Sequence, residues 1–572
     1  MPRTGAGGGG SGSSMPVRVR CSRGHAVALR AATSAVSLFV VGALVAACDS
    51  SSSESASAPS SSAVASEPAN PAAQVAQPLP DNAVDNAVGE LDGLIDSLMK
   101  STKIPGLAVA VVHGGEAVYA KGFGVAEVGT DREVGPDTVF PLASMSKPIG
   151  STVIARLVTD NVVGWDTPVA ENLPGFALSD PWVTSHVTIG DMYAHRSGLP
   201  DHAGDKLEDM GYDRAQIIER LRYLPLDPFR ISYAYTNFGL TAAAESAARK
   251  AGTDWDALSE NMIYGPLGMT HTSSRFADFE AESDRVVGHV EVDGEWVKTP
   301  EQRDPDAQAP AGGVSSSVND VARWMAMVLA NGSHNGAQLI DPDALLPAIT
   351  PQVISSHPSS PEARAGNYGY GFNVSVTEGG RTQMSHSGAF LMGAGTSVLF
   401  LPSADVAIVA LSNASPIGAV DALTGEFADL VQFGEVRHDW RTLYAGAYAS
   451  ISEPSGDLVG DQSPTNPAPA QPLSDYVGNY RNDVYGPAVV RESDGTLVLG
   501  MGPNGVTTHD LTHWDGDTFT FTLRNENAAL GSVSKVTFTG PGMTENGSGA
   551  RRMVIEYYDD ESSDGVFIRS DR

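Results

Sequence analysis

The chain has 572 residues, of which 41% are hydrophobic and only 18% are charged, so it is too apolar for a disordered protein and long enough for at least two folded units. Asp and Glu number 68 against 36 Lys and Arg, and the formal charge of −32 would repel a phosphate backbone, which argues against nucleic-acid binding. Only two cysteines are present, Cys21 and Cys48, and both are N-terminal, which excludes a disulfide scaffold and a cysteine-built zinc site in the rest of the chain.

Residues 1–48 have the pattern of an export signal. Five arginines and no acidic residue accompany an apolar run, Ala31 to Ala47, that ends in Val-Ala-Ala-Cys48 and resembles a bacterial lipobox. We expect Cys48 to be lipidated and to anchor the protein to the outer face of the cell membrane; a plain secretory signal and an uncleaved anchor helix are the alternatives. Whether translation starts at Met1 or at Met15 stays open.

The next residues predict a tether and then the start of a folded domain. Residues 49–84 are rich in Ser, Ala and Pro, which cannot bury enough apolar surface to fold. An apolar helical period follows between Asn82 and Thr102. Two apolar runs around His113-Gly-Gly115 then predict a β-hairpin.

The first chemical signal is Ser144-Met-Ser-Lys147. A helix starting here would place the two side chains one turn apart, with Cβ atoms roughly 5–6 Å from each other. A buried lysine of lowered pKa could then take the serine proton. The spacing alone is weak evidence, because Ser97/Lys100 and Ser532/Lys535 repeat it in a chain of eight lysines.

Two further elements supply groups that serine acyl transfer requires. Tyr235-Thr-Asn237 offers a phenol and an amide on one short element, although Tyr480-Arg-Asn482 has the same form. The second element is the segment 384–390, which contains His386-Ser-Gly388 and precedes two apolar runs. We expect it to be an edge strand that begins a second sheet segment.

In their order and spacing, these three elements resemble the penicillin-recognising serine hydrolases, which include D-alanyl-D-alanine carboxypeptidases, class C β-lactamases, D-aminopeptidases and related esterases. The resemblance covers about residues 85–435 and implies an α/β fold in which an antiparallel sheet is flanked by helices and accompanied by an all-α subdomain. It further implies the following roles: Ser144 as nucleophile, Lys147 as its base, Tyr235 as proton shuttle, Asn237, His386, Ser387 and Gly388 as substrate-binding residues, and the backbone N–H groups of Ser144 and Ala389 as the oxyanion hole.

His386 departs from the lysine that is usual in class C β-lactamases. A histidine of ordinary pKa is largely uncharged at neutral pH and holds a substrate carboxylate weakly. We therefore expect a D-amino-acid-directed peptidase or carboxylesterase acting on small peptides or esters, with β-lactamase as the alternative. A hypothesis of another class is a non-catalytic surface lipoprotein that binds cell-wall peptides.

The C-terminal part of the chain differs in its residue pattern from the part before it. Residues 436–472 are expected to be a linker, and residues 473–572 contain short β-rich runs that predict a small antiparallel barrel. The opening at Leu473–Tyr480 resembles the lipocalin-like modules that follow some of these hydrolases. We expect the aromatic residues of this part to form its core.

No cofactor or metal is expected. The chain has no G-x-S-x-G elbow, no H-E-x-x-H motif and no P-loop. An acidic cluster could hold a divalent ion, but a solvated loop is the favoured interpretation; it comprises Asp201, His202, Asp205, Glu208 and Asp209.

Overall fold

The computed structural model describes residues 75, 77–540, 551–560 and 563–570. The predicted signal peptide, the lipidation site and most of the tether lie outside these residues. Within the described part of the chain, no helix has the length and apolar character needed to cross a membrane.

The helices and strands alternate through the first part of the chain, and strands alone form the last part. The helices are α1 (Ala83–Thr102), α2 (Ser146–Thr159), α3 (Val169–Asn172), α4 (Pro181–His186), α5 (Ile189–Tyr193), α6 (Asp205–Asp209), α7 (Arg214–Arg220), α8 (Asn237–Ala251), α9 (Trp255–Ser259), α10 (Gly265–Leu267), α11 (Phe276–Ala281), α12 (Ala309–Gly312), α13 (Val318–Leu329), α14 (Pro342–Leu345), α15 (Ala419–Phe433) and α16 (Trp440–Tyr448). The strands are β1 (Gly106–His113), β2 (Glu116–Gly124), β3 (Phe140–Pro141), β4 (His289–Val292), β5 (Glu295–Lys298), β6 (Ser315–Ser316), β7 (Ser333–His334), β8 (Ala337–Gln338), β9 (Val353–Ser356), β10 (Gly366–Tyr368), β11 (Asn373–Val376), β12 (Thr382–Phe390), β13 (Ala394–Leu401), β14 (Val406–Ser412), β15 (Gly478–Asn482), β16 (Gly486–Ser493), β17 (Thr496–Met501), β18 (Thr507–Asp515), β19 (Thr518–Thr522), β20 (Val533–Thr539), β21 (Arg552–Asp560) and β22 (Ser563–Arg569).

An eight-stranded antiparallel sheet organises the first part, in the order β2-β1-β14-β13-β12-β11-β10-β9. Side chains of β1 alternate between its two faces, as the two-residue period of a strand requires. Leu107, Val109 and Val111 pack in the core that contains α1 and α15, whereas Ala108 and Ala110 pack in the core that contains α2 and α13. The predicted fold class, a sheet flanked by helices, is confirmed.

Several local predictions are also confirmed. The helix predicted after Asn82 is α1, and the predicted hairpin is β1–β2, whose turn places Gly114 and Gly115 at positive φ. One local prediction is wrong in part: β12 belongs to the same sheet as β1. It pairs with β13 along Met384–Phe390, but its pairing with β11 stops at Ser385, so only the segment 386–390 is an edge.

The C-terminal strands β15 to β22 form a closed antiparallel barrel, as the sequence predicts. Its interior holds packed aromatic rings, including Tyr476, Tyr480, Phe519 and Phe538. These aromatic residues are therefore core. The barrel and the sheet-containing part belong to one compact unit, and the Tyr212 hydroxyl donates a hydrogen bond of 3.0 Å to the carbonyl of Tyr485 between them.

Candidate active site

Ser144 lies in a short 3-10 turn, Ala143–Met145, that leads directly into α2. Strand β12 closes on this turn at Gly388. A Cβ atom at Gly388 would lie 2.2 Å from both the Leu142 carbonyl oxygen and Thr396 Oγ1, and 3.0 Å from the backbone nitrogen of Ser144. Only glycine therefore allows the strand to approach the serine backbone this closely.

Lys147 follows one turn later on α2 and is completely buried. Its Nζ donates to Ser144 Oγ at 2.9 Å, to Asn237 Oδ1 at 2.7 Å and to the Ala311 carbonyl at 2.9 Å. Burial disfavours the ammonium form and lowers the pKa of Lys147 to about 7. At neutral pH, Lys147 is thus a neutral amine in a large fraction of the molecules, and this amine contacts the serine hydroxyl.

Tyr235 lies beside this pair, with its ring centroid 4.5 Å from Lys147 Nζ. Burial raises its pKa well above the ordinary value, and a hydrogen bond with the Ser144 side chain opposes that rise. The phenol is therefore protonated at neutral pH and can donate a proton. Its backbone N–H is held by Asp201 Oδ1 at 2.7 Å, on the loop before α6.

Asn237 begins α8 and connects Lys147 to a carboxylate. Its Oδ1 accepts from Lys147, and its Nδ2 donates to Asp205 Oδ2 at 2.8 Å. Asp205 also accepts from His202 Nδ1 at 2.8 Å. The negative charge of Asp205 partly opposes the burial effect by raising the pKa of Lys147.

His386 does not occupy the place that the sequence prediction gave it. The side chain is 4% exposed, and its imidazole contacts Tyr368 and its own strand rather than the cavity above Ser144. Nδ1 lies 2.7 Å from the Ser387 carbonyl, which can only accept, so Nε2 accepts from the Tyr368 hydroxyl at 2.9 Å. Burial and, to a smaller extent, repulsion from the charge of Lys147 lower the pKa of His386 to about 3. The imidazole is neutral at pH 7, and the expectation that it titrates near neutrality is wrong.

Ser387 and Ala389 lie on β12 beside His386 and line the same cavity as Ser144. The Ser387 hydroxyl donates to the buried carboxylate of Asp421 on α15. A substrate group could bond to this hydroxyl only by donating a hydrogen bond to its oxygen or by displacing Asp421.

The acidic cluster is only partly a solvated loop, which corrects the favoured sequence interpretation: Asp201 and His202 are exposed, but the other three members lie on α6. Asp205 is 4% exposed, and Glu208 forms an ion pair with Arg303 in which both side chains are 8% exposed. Burial raises the pKa of Glu208 to about 7 and that of Asp209 to about 6. Within the described residues, no group of three or more His, Cys, Asp or Glu side chains is arranged to hold a metal ion.

The tertiary structure adds a wall that the sequence did not predict. A cavity of about 810 Å³ opens above Ser144, and both the sheet-containing part and the barrel line it. The barrel contributes the loop between β19 and β20, in which Glu526 accepts from the backbone N–H groups of Leu391 and Met392 at 2.7 and 3.3 Å. Asn527 Nδ2 donates to Asp209 Oδ2 at 2.7 Å.

The sequence carried a signal for part of this arrangement. Leu207 and Met210 stand within the acidic run and are buried, and apolar residues at that spacing indicate a packed helical turn rather than a solvated loop. Glu526 had no such signal, because its partners lie more than 130 residues away along the chain.

The side chains of the competing serine–lysine pairs have structural partners elsewhere. Ser97 Oγ accepts from Arg441, and Lys535 forms an ion pair with Asp457. Neither lysine of these pairs is buried like Lys147. The local spacing is shared, but burial separates Lys147 from the other two.

Comparison with known proteins agrees with this geometry. Residues 91–432 match the family model described as Beta-lactamase, and residues 462–558 match a domain of unknown function, DUF3471. The unguisins hydrolase ungD of Aspergillus violaceofuscus is 28% identical over 463 residues, which cover 74% of this chain and 81% of that protein. Penicillin-binding protein 4 of Amycolatopsis lactamdurans is 29% identical over 238 residues, or 40% of this chain and 60% of that protein.

A solved structure supports the fold as well. The octameric penicillin-binding protein homologue from Pyrococcus abyssi superimposes with a TM-score of 0.53 at 19% identity, covering 84% of this chain and 100% of that one. The family match spans more than half of the chain, and hydrolases stand among its relatives. The chain therefore belongs to the Beta-lactamase family and is a serine hydrolase of the β-lactamase and penicillin-binding-protein type.

Proposed function

We propose that the protein hydrolyses amide or ester bonds through an acyl-enzyme intermediate on Ser144. The observation that carries this proposal is the buried amine of Lys147, 2.9 Å from Ser144 Oγ and with a pKa lowered to about 7. A neutral amine in that position can accept the hydroxyl proton as the oxygen attacks a carbonyl carbon.

The remaining steps follow from the neighbouring groups. Ser144 Oγ bonds to the carbonyl carbon, the negative oxygen is stabilised by the N–H groups of Ser144 and Ala389, and protonated Tyr235 gives its proton to the leaving nitrogen or oxygen. The tyrosine regains a proton from the Lys147 ammonium. Water then attacks the acyl carbon as neutral Lys147 takes its proton. The bond between the acyl carbon and Ser144 Oγ breaks, Oγ takes that proton from Lys147, and the acid is released. In this mechanism Asn237 holds Lys147 and contacts the substrate.

The charges around the cavity favour neutral or amine-bearing substrates over carboxylates. Three basic residues line it, and all are already paired: Lys206 with Asp560, Arg303 with Glu208 and His202 with Asp205. His386 is neutral, and Asp201, Asp205 and Glu453 add negative charge to the lining. We therefore propose a D-amino-acid-directed peptidase or a carboxylesterase, because a β-lactam carries a carboxylate that finds no free cation among the described lining residues.

Active-site labelling tests the proposal directly. The full chain is incubated with a fluorophosphonate, and its intact mass and tryptic peptides are measured. We expect one adduct, on Ser144, and none in Ser144→Ala, which should keep the unfolding temperature of the wild type. Labelling of Ser97 or Ser532, or no adduct at all, would contradict the assignment, and the second result would favour the non-catalytic peptide-binding hypothesis.

Substrate class is a separate question with a separate measurement. We expect kcat/KM for a D-aminoacyl p-nitroanilide or a short-chain p-nitrophenyl ester to exceed that for a cephalosporin by at least about tenfold, the factor that corresponds to about 1.4 kcal/mol of missing ion pairing. A cephalosporin that is hydrolysed faster than both would make β-lactamase the leading function.

We also propose that the protein is exported and anchored through lipid on Cys48. The support is the sequence pattern of residues 1–48. Cys48→Ser should abolish palmitate incorporation and release the protein from membranes, and Cys21→Ser is the matched control. Membrane retention of the Cys48→Ser protein without lipid would instead indicate an uncleaved anchor at residues 31–47.

A further inference from the structure

The C-terminal barrel inserts a carboxylate directly behind the catalytic strand. Glu526 lies on the β19–β20 loop, is half-buried, and accepts hydrogen bonds from the N–H groups of Leu391 and Met392. These two residues form the turn between β12 and β13, and Leu391 follows Ala389 by two positions. A side chain of the barrel therefore holds the backbone immediately beyond the strand that faces Ser144.

The backbone of this part of β12 is paired with a neighbouring strand on one edge only. Among the described strands, β11 pairs with β12 no further than Ser385, so the backbone of the segment 386–390 pairs with β13 alone. The turn itself is tight: Gly393 has a φ of +107°, and its N–H donates to the Phe390 carbonyl at 2.9 Å. A bidentate carboxylate on two successive N–H groups fixes such a turn more firmly than solvent would, because charge-assisted hydrogen bonds are short and directional.

The surroundings of Glu526 keep the carboxylate in place. Burial raises the pKa of Glu526 to about 7, and the Arg303 guanidinium opposes this rise by favouring the ionised form. The guanidinium also lies 4.9 Å from the ring centroid of Phe390, the last residue of β12. The next residue of the loop, Asn527, binds Asp209 on α6. The loop thus contacts the β12–β13 turn through one side chain and the acidic helix through the next.

We propose that Glu526 is a positioning residue for acyl transfer: it fixes the β12–β13 turn and thereby the distance between the Ala389 N–H group and Ser144. The inference rests on the proposed function, since it assigns the barrel a part in forming the oxyanion hole. It gives the C-terminal domain a role in turnover of the bound substrate rather than in substrate capture. An oxyanion donor must lie within hydrogen-bonding distance of the developing charge, and a displacement of about 1 Å is enough to reduce the rate about a hundredfold.

The test compares two adjacent residues of the same loop in the full chain. Glu526→Ala removes both acceptors of the turn, whereas Asn527→Ala removes the contact with α6 and leaves the turn bonded. Both residues line the cavity, so Asn527→Ala is a matched control for general loosening of the interface. Steady-state kinetics with a short-chain p-nitrophenyl ester and the second-order rate of fluorophosphonate labelling are measured, together with the unfolding temperature.

We expect Glu526→Ala to lower kcat and the labelling rate between about tenfold and about a hundredfold while KM changes less than about threefold. Asn527→Ala should stay within about threefold of wild type. Glu526→Gln should lose less activity than Glu526→Ala, because its side-chain carbonyl can still accept a hydrogen bond from one of the two N–H groups. If the alanine variant does not fold, the glutamine variant is compared with wild type instead.

Three results would overturn the inference. Equal losses in the Glu526 and Asn527 variants would mean that only domain contact matters. A Glu526→Ala protein that reacts as fast as wild type would mean that the turn holds itself, with the proposed function unaffected. A wild-type chain that forms no Ser144 adduct would overturn the proposed function and the role of Glu526 with it.

Discussion

Neutralising Asp205 should shift the pH dependence of catalysis in a calculable direction. In the structure, Asn237 bridges Lys147 Nζ and Asp205 through hydrogen bonds of 2.7 and 2.8 Å, which places the two charges roughly 7 Å apart. At that distance and an effective dielectric constant of about 20, their attraction is about 2 kcal/mol, or between one and two pKa units. Asp205 raises the pKa of Lys147, so Asp205→Asn should lower it from about 7 toward about 5–6.

The sign of the effect on activity follows from the role of the lysine. Catalysis needs the neutral amine, so kcat/KM should rise with pH through the Lys147 pKa and then reach a plateau. At pH 6, a base of pKa about 7 is roughly one tenth neutral, whereas a base of pKa about 5–6 is about half neutral or more. Relative to its own plateau, kcat/KM at pH 6 should therefore increase about fivefold or more in Asp205→Asn.

The assay is kcat/KM from pH 5 to pH 9 with a neutral ester, so that the substrate does not titrate. Asp209→Asn is the control, because Asp209 lies on the same helix, α6, but is not among the groups that shift the Lys147 pKa. An acid limb that stays in place or moves upward in Asp205→Asn would refute the reasoning. A shift of equal size in Asp209→Asn would show a general field effect rather than the Asn237-bridged pair.

Two further predictions concern β12. Gly388→Ala should lower kcat/KM about a hundredfold or more, because the added Cβ atom would overlap the backbone beside Ser144. Gly395→Ala on the paired strand is the control and should remain close to wild type, because the nearest atom to its added Cβ would be 3.6 Å away. An active and stable Gly388→Ala protein would contradict the close packing. His386→Lys should not improve hydrolysis of carboxylated substrates and should lower the free energy of unfolding by at least about 2 kcal/mol, because it buries an ammonium group beside Tyr368 and the strand backbone. Urea unfolding and kcat/KM for benzylpenicillin and a neutral ester test this prediction. A selective gain in kcat/KM for benzylpenicillin would contradict it.

Part of the catalytic centre could be predicted from the spacing of residues along the sequence. Ser144 and Lys147 are one turn apart, so a helix starting at this point brings them together whatever the rest of the chain does. Short β-rich runs likewise predicted the barrel strands. The fold class, the serine-hydrolase chemistry and the role of Gly388 were expected from the family resemblance that the order and spacing of the motifs carry.

The protonation states of Lys147 and His386 could not be predicted from the sequence. Lys147 and Lys100 have the same local spacing from a serine, yet only Lys147 is enclosed by α8 and α12, which removes water from its amine and lowers its pKa. His386 looked like a group that titrates near neutrality, but strand register turned its ring toward Tyr368 and away from the cavity. Desolvation depends on every neighbour at once, and a motif records none of them.

Contacts between distant segments were also decided only by the tertiary structure. Asp205 became a partner of Asn237 because α6 packs beside the start of α8, and Glu526 reached the β12–β13 turn because the closed barrel presents its β19–β20 loop there. The sequence alone determined which residues can perform acyl transfer, since that depends on chemical type and local spacing. The tertiary structure determined their charge, their distances and the wall of the cavity, since those depend on which distant surfaces exclude water from the same place.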